Sequence, residues 1–121
     1  MDKIQKPKTY DLEDRTLEFA RECRYFVKKL PRTLCNKEDG SQLVRASGSV
    51  GANYIEANEA ISKKDFTHRI KISRKEAKES RFWLRLVDTE KTESLDIQRE
   101  KLIEEAVELM KIFSSIMRKT E

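Results

Sequence analysis

The chain has 121 residues, 37% of them hydrophobic and 40% charged, with a formal net charge of +4 at pH 7 and a pI near 9.1. One domain of this length buries a real core without metal or disulfide support. Three glycines and two prolines leave too few turns for a sheet protein, so the composition favours a few long helices with solvated faces. No run approaches the roughly 18 apolar residues of a membrane span, and no signal-peptide apolar region opens the sequence, so a cytoplasmic protein is expected.

Residues 1–10 are polar, contain Pro7, and are expected to form a flexible arm ahead of a single domain over residues 11–121. A first helix is predicted over residues 12–30. Leu12, Thr16, Phe19, Cys23, Phe26 and Leu30 keep the spacing of one helical face, thickened by Ala20 and Val27. Pro31 stops it. Residues 32–40 read as a connection, with Asn36 and Asp39-Gly40 as turn chemistry.

Ser41 is the predicted N-cap of a second helix that ends near Ala60. Leu43, Ser47, Val50, Tyr54, Ala57 and Ile61 form its stripe, flanked by the small residues Ala46, Gly48, Ser49, Gly51 and Ala52. A helical glycine costs about 1 kcal/mol against alanine, so two of them imply close approach of a neighbouring helix. A third helix, capped by Ser62 or Asp65, carries the most regular seam: Phe66, Ile70, Ser73, Ala77, Ser80, Leu84 and Val87 alternate by four and three. Ile72, Trp83 and Leu86 add a second, weaker stripe, which a single bundle would not need; they are candidates for a subunit interface, since aromatic anchors are enriched there. The competing reading is a broad core. A fourth helix starts near Ser94 or Asp96 and places Arg99, Leu102, Ala106, Leu109, Phe113 and Ile116 on one face, widened by Ile103, Met110 and Met117. Four helices with short links predict an all-α, antiparallel up-and-down bundle.

Charge is segregated along the chain. Between Lys63 and Val87 nine basic residues face Asp65, Glu76 and Glu79, a net +6, whereas residues 88–121 carry a net −3. That favours a polyanionic partner or self-association through opposite faces. Lys64, Lys71, Lys75, Lys78 and Arg85 lie opposite the seam of the third helix, with Arg74 and Arg81 beside them and Phe82 among them. This face is the candidate nucleic-acid surface, with Lys64, Lys71, Arg74, Lys75, Lys78 and Arg81 on phosphates. Slight aromatic interleaving favours recognition of shape and charge over base readout. A merely solvated face is the alternative.

Nothing in the sequence composes a catalytic, cofactor or metal site. The run Ser47-Gly48-Ser49-Val50-Gly51-Ala52-Asn53 lacks the strand-loop-helix context of a phosphate cradle, and the apolar period passes straight through its glycines. Glu56, Glu59, Glu76 and Glu79 do not make a di-iron site, because His68 has no Glu three residues before it; pairing of Glu76 and Glu79 with arginines of this or a neighbouring subunit is expected instead. Cys23 and Cys35 lack metal-ligand spacing and read as free thiols in a reducing compartment, Cys23 in the core and Cys35 in an exposed loop. His68 has no convincing catalytic partner and is expected to be solvated or to face phosphate.

The stretch Val44-Arg45-Ala46-Ser47-Gly48-Ser49-Val50-Gly51-Ala52-Asn53-Tyr54-Ile55-Glu56-Ala57 carries a wider signal. With Lys64-Asp65-Phe66 and the run from Ile72 through Ser73, Arg74, Lys75, Glu76, Ala77, Lys78 and Glu79 to Ser80, it resembles the bacterial four-helix-bundle family encoded by intervening sequences in large-subunit ribosomal RNA genes. The accessory variability proteins of diversity-generating retroelements look like relatives of that family. Tyr10-Asp11-Leu12-Glu13 and the helix spacing fit as well, so the match spans nearly the whole chain. Gly51 stands where family members often carry Pro or another small residue, and Asn58 where Gly is common. The resemblance implies a homopentameric ring, no catalytic activity, and, in the retroelement relatives, binding of a reverse transcriptase and nucleic acid. Two functions follow as expectations: a non-enzymatic homo-oligomer associating with RNA or a nucleoprotein, or an interaction scaffold that docks a protein partner without touching nucleic acid.

Overall fold

A computed structural model describes residues 11–120, which form four helices and no strand. The predicted arm at residues 1–10 lies outside the described residues.

Helix α1 (Leu12–Lys29) starts where the Asp11 carboxylate accepts the Asp14 N–H. Glu13 and Asp14 occupy its first turn and Lys28 and Lys29 its last, each sign suited to the helix dipole. Pro31 ends it by forcing Leu30 into extended backbone. Helix α3 (Lys63–Leu86) is capped by Ser62, whose hydroxyl accepts the Asp65 N–H. Helix α4 (Glu93–Lys119) follows Thr92, which makes no side-chain cap bond. The link between α3 and α4 turns through two left-handed residues, Glu90 and Lys91. It is held by the Asp88 carboxylate, which accepts the Glu90 N–H at 2.8 Å, and by Thr89 Oγ1, which donates to Asp96.

Helix α2 (Leu34–Asn58) corrects the sequence reading. The expected connection over residues 32–40 is mostly helical, and Thr33, not Ser41, is the N-cap, accepting the Asn36 N–H. Asn36 and Asp39-Gly40 do not act as turn residues because tertiary contacts claim Asn36 and Gly40. The Asn36 amide donates to the carbonyls of Pro31 and Asp88, and its Oδ1 accepts the Asp88 N–H at 2.9 Å. Gly40 is buried against α1; a Cβ there would sit 3.1 Å from Val27 Cγ1.

The register between helices is antiparallel throughout. Thr16 meets Gly51 and Val27 meets Gly40 between α1 and α2. Ser73 Oγ donates to Val50 O and Arg69 to Asn53 Oδ1 between α2 and α3. Thr67 reaches Thr120, Arg74 reaches Ser114 and Arg99 reaches the Leu84 carbonyl between α3 and α4. Each helix packs on its two neighbours in the square, including α1 on α4, and not across the diagonal. The core runs down the middle: Phe19, Cys23 and Phe26 from α1, Leu43, Val50 and Ala57 from α2, Ile70, Ala77 and Leu84 from α3, Leu102, Leu109 and Phe113 from α4. The predicted seams of α1, α3 and α4 are these core faces.

Candidate nucleic-acid interface

Helix α3 is narrow where it touches the core. Ser73, Ala77 and Ser80 are fully buried, and the two serines satisfy their hydroxyls on backbone carbonyls, Ser73 on Val50 and Ser80 on Glu76. Small buried side chains draw α3 close to α2 and hold its opposite face outward. On that face Lys64, Lys71, Lys75 and Lys78 are exposed, as are Arg85 and His68. From Lys64 to Lys78 the face runs about 21 Å at 1.5 Å per residue.

The six residues assigned to phosphate contact do not lie equally open. Arg74 and Arg81 are half-buried on the flank turned toward α4. Arg74 Nη1 approaches Ser114 Oγ at 3.4 Å, and Arg81 lines a cavity of about 410 Å³ with Arg85, Arg99 and Glu100. Among the described residues none of the six is ion-paired to a carboxylate. Like charges at Lys71, Lys75 and Lys78 are three and four residues apart, where such pairs cost a few tenths of a kcal/mol each in an isolated helix. At the start of α3, Lys63, Lys64, Thr67, His68 and Lys71 border a recess of about 570 Å³ closed on one side by Thr120.

Of the second stripe, Ile72 and Trp83 are half-buried, and Trp83 packs against the bundle's own core. Leu86 is half exposed, and Phe82 stands 54% exposed beside it, its ring edge-on to Trp83 at 5.0 Å. The apolar surface left open on α3 is therefore Phe82 with Leu86, more than Trp83 itself.

The expected pairing of Glu76 and Glu79 with arginines is not formed within the chain: among the described residues neither makes an ion pair. Burial lifts the Glu76 carboxyl above the usual range, the neighbouring Glu79 adds to this, and Lys75 and Arg45 oppose it. Among the described residues no three His, Cys, Asp or Glu side chains gather around a common point suited to a metal ion, and no helix is long and apolar enough to cross a membrane. Cys23 is fully buried, and burial pushes its thiol up to about 12, while Cys35 is exposed on the first turn of α2.

One feature of the surface has no counterpart in the sequence reading. Arg15 of α1 grips Glu105 of α4 with two hydrogen bonds of 2.7 and 2.9 Å, and both line an acid-rich groove between the two helices. The partners are 90 residues apart, and no local pattern announces them.

The chain's relatives agree with this architecture. It resembles the crystal structure of a protein of unknown function from the S23 ribosomal protein family of Bacteroides thetaiotaomicron. The two are 32% identical with a TM-score of 0.74, over 93% of this chain and 99% of that one. Among curated proteins none matches. The family model described as 23S rRNA-intervening sequence protein matches residues 8–115, nearly the whole bundle, and the chain belongs to that family.

Proposed function

We propose that the protein is a non-enzymatic, cytoplasmic homo-oligomer that associates with RNA, or with a nucleoprotein such as a reverse transcriptase on its template, through the outward face of α3. The observation that supports this most is the row Lys64, Lys71, Lys75 and Lys78, exposed and without carboxylate partners among the described residues, flanked by Arg74 and Arg81. Membership of a family named for a ribosomal RNA intervening sequence is consistent with an RNA ligand. The lysine stems set a line of cations on a rigid rod, suited to track a phosphate backbone by charge and shape. A pentameric ring, which the sequence resemblance implies, would repeat the face around an axis. Phe82 and Leu86 offer apolar surface for subunit contact beside the edge of Trp83.

Binding of a structured RNA should weaken steeply as salt rises. Replacing Lys71, Lys75 and Lys78 by Glu should abolish it while leaving the helical circular dichroism unchanged. RNA affinity undetectable at low salt, or unchanged in the triple variant, overturns the reading. The scaffold alternative would then be favoured by a protein partner whose capture is insensitive to salt and lost in Trp83→Ala.

A further inference from the structure

The start of α3 holds a recess of about 570 Å³ in which four of the six lining side chains are basic: Lys63, Lys64, His68 and Lys71. They stand at positions i, i+1, i+5 and i+8, which a helix gathers on one side within about 12 Å of its length. Thr67 and Thr120 complete the lining, and no carboxylate belongs to it. Thr67 Oγ1 donates to Thr120 Oγ1 at 3.2 Å, and Thr120 Oγ1 donates to the Met117 carbonyl at 2.8 Å. These bonds fix the end of α4 as a wall of the recess. The last turn of α4 brings Arg118 and Lys119, so the neighbouring element adds positive charge and does not offset it.

Among the described residues none of the four basic side chains makes a hydrogen bond or an ion pair. Asp65, the acid in the first turn of α3, lies outside the lining. Three ammonium groups and an imidazole, which offers an N–H donor in either protonation state, therefore face one space with their charge uncompensated. The ligand that suits them is a compact, multiply charged anion rich in acceptor oxygens. A phosphodiester inside a strand carries a single negative charge, whereas a phosphomonoester carries about −1.5 to −2 at pH 7 and three strong acceptor oxygens. The recess also lies at the end of the cationic row, about 21 Å from Lys78. Lys75 and Lys78 stand singly on an open helix face, along which a backbone can run on. At Lys63 and Lys64 the row stops, beside the wall made by Thr67 and Thr120. That is a place for the end of a strand.

We propose that this recess binds a phosphomonoester, and that its source is the terminal phosphate of an RNA strand lying along α3. Lys63, Lys64 and Lys71 hold the phosphate oxygens as charged donors, and His68 adds a hydrogen bond. The choice of an RNA end rests on the RNA reading of the α3 face, whereas the phosphomonoester site rests on the recess alone.

His68 is the sole histidine of the chain, so its ring protons are an unambiguous NMR probe inside the recess. At fixed pH and ionic strength, uridine 5′-monophosphate should shift them saturably and uridine should not. The shift should be lost in Lys63→Ala/Lys64→Ala, both exposed positions whose replacement leaves the core untouched. Uridine 5′-monophosphate that moves the His68 protons no more than sodium chloride of equal ionic strength overturns the site. Fluorescence anisotropy on the full chain then separates the sources. An RNA is compared with the same RNA phosphorylated at its 5′ end and, in another arm, at its 3′ end. One of the phosphorylated strands should bind at least about tenfold tighter than the strand ending in hydroxyls, and Lys63→Ala/Lys64→Ala should remove that ratio. Lys75→Ala/Lys78→Ala should weaken all three strands alike and leave the ratio intact. Equal affinity for phosphorylated and unphosphorylated ends overturns the strand end while the RNA reading of α3 stands. If no strand binds, that reading and the strand end both fall, and the His68 response alone upholds or overturns the phosphomonoester site.

Discussion

Two glycines on one helix should respond to the same substitution with opposite signs. Gly48 and Gly51 both lie inside α2, so alanine at either position gains the helix-propensity difference of about 1 kcal/mol. What a new Cβ would meet differs. At Gly48 the nearest atoms are the tip of Arg24, Nη2 at 3.2 Å, the far end of a flexible side chain that can swing aside. At Gly51 the nearest are Thr16 Oγ1 at 2.7 Å and Thr16 Cβ at 3.1 Å. Thr16 is buried, and its hydroxyl is committed to the Leu12 and Glu13 carbonyls. It cannot yield without moving α1. Overpacking of that kind costs about 1–3 kcal/mol, and losing the Thr16 bonds adds about 1 kcal/mol. Gly48→Ala should therefore stabilise the protein by about 0.5–1 kcal/mol, and Gly51→Ala should destabilise it by about 1–3 kcal/mol. Urea unfolding by circular dichroism reads both as shifts in midpoint at constant slope. Thr16→Ala should recover part of the Gly51→Ala loss in a double-mutant cycle. A Gly51→Ala protein as stable as the parent, or zero coupling to Thr16, would refute the claim that close α1–α2 approach is why this glycine is there.

Three further outcomes follow from the buried polar and ionisable groups. Asn36→Ala removes the amide that ties the start of α2 to Pro31 and Asp88, and should cost about 2–3 kcal/mol in chemical denaturation; a loss under half a unit of midpoint would show the tie to be dispensable. A thiol reagent should titrate one cysteine per native chain and two in denaturant, because Cys35 is exposed and Cys23 is buried with its thiol pushed up to about 12; loss of the fast phase in Cys35→Ser checks the assignment. The folded chain holds the Glu76 proton more tightly than the unfolded chain does, so the stability it contributes is full at acid pH and lost as pH rises through the raised folded value. Glu76→Gln should accordingly gain stability over the parent at pH 7, and the gain should vanish below about pH 4; a gain independent of pH contradicts burial as the cause.

The elements that the sequence announced most clearly are those whose apolar period is long and uninterrupted. Phe19, Cys23 and Phe26 of α1, the seam of α3, and Leu102, Ala106, Leu109 and Phe113 of α4 are core positions in the structure. The start of α2 was illegible for a physical reason. Asn36 and Asp39-Gly40 have the local chemistry of a turn, and what overrides it is non-local: Val27 packing on Gly40 and a bond from Asn36 to a residue 52 positions away. The basic row on α3 was legible because it lies on one helix, where spacing fixes direction. That Arg74 and Arg81 turn toward α4 depends on the helix they pack against. The acid groove was invisible for the same reason, since its two walls are separated by most of the chain.

The faces of α3 are physically dependent on one another. A helix with lysines at 71, 75 and 78, and with Lys63 and Lys64 in the first turn, where the dipole disfavours cations, gains little stability from its own sequence. It is kept helical by its inner face: Ile70 and Leu84 in the core, and Ser73 Oγ donating to the Val50 carbonyl at 2.9 Å. Most helical stability in proteins comes from such packing, and here it leaves the outer positions free of any structural task. Cations that repel one another on a packed helix lower its stability slightly, so the fold does not require them. An opposing charge from outside the bundle would offset that repulsion, and a phosphate backbone supplies one at close intervals. This asymmetry, with stability on the inner face and uncompensated charge on the outer, is the reason for assigning the ligand surface to α3. Helices α1, α3 and α4 all carry acids in the first turn and basic residues in the last, Asp65 and Arg85 in α3, so what sets α3 apart is its row of outer lysines and not its ends.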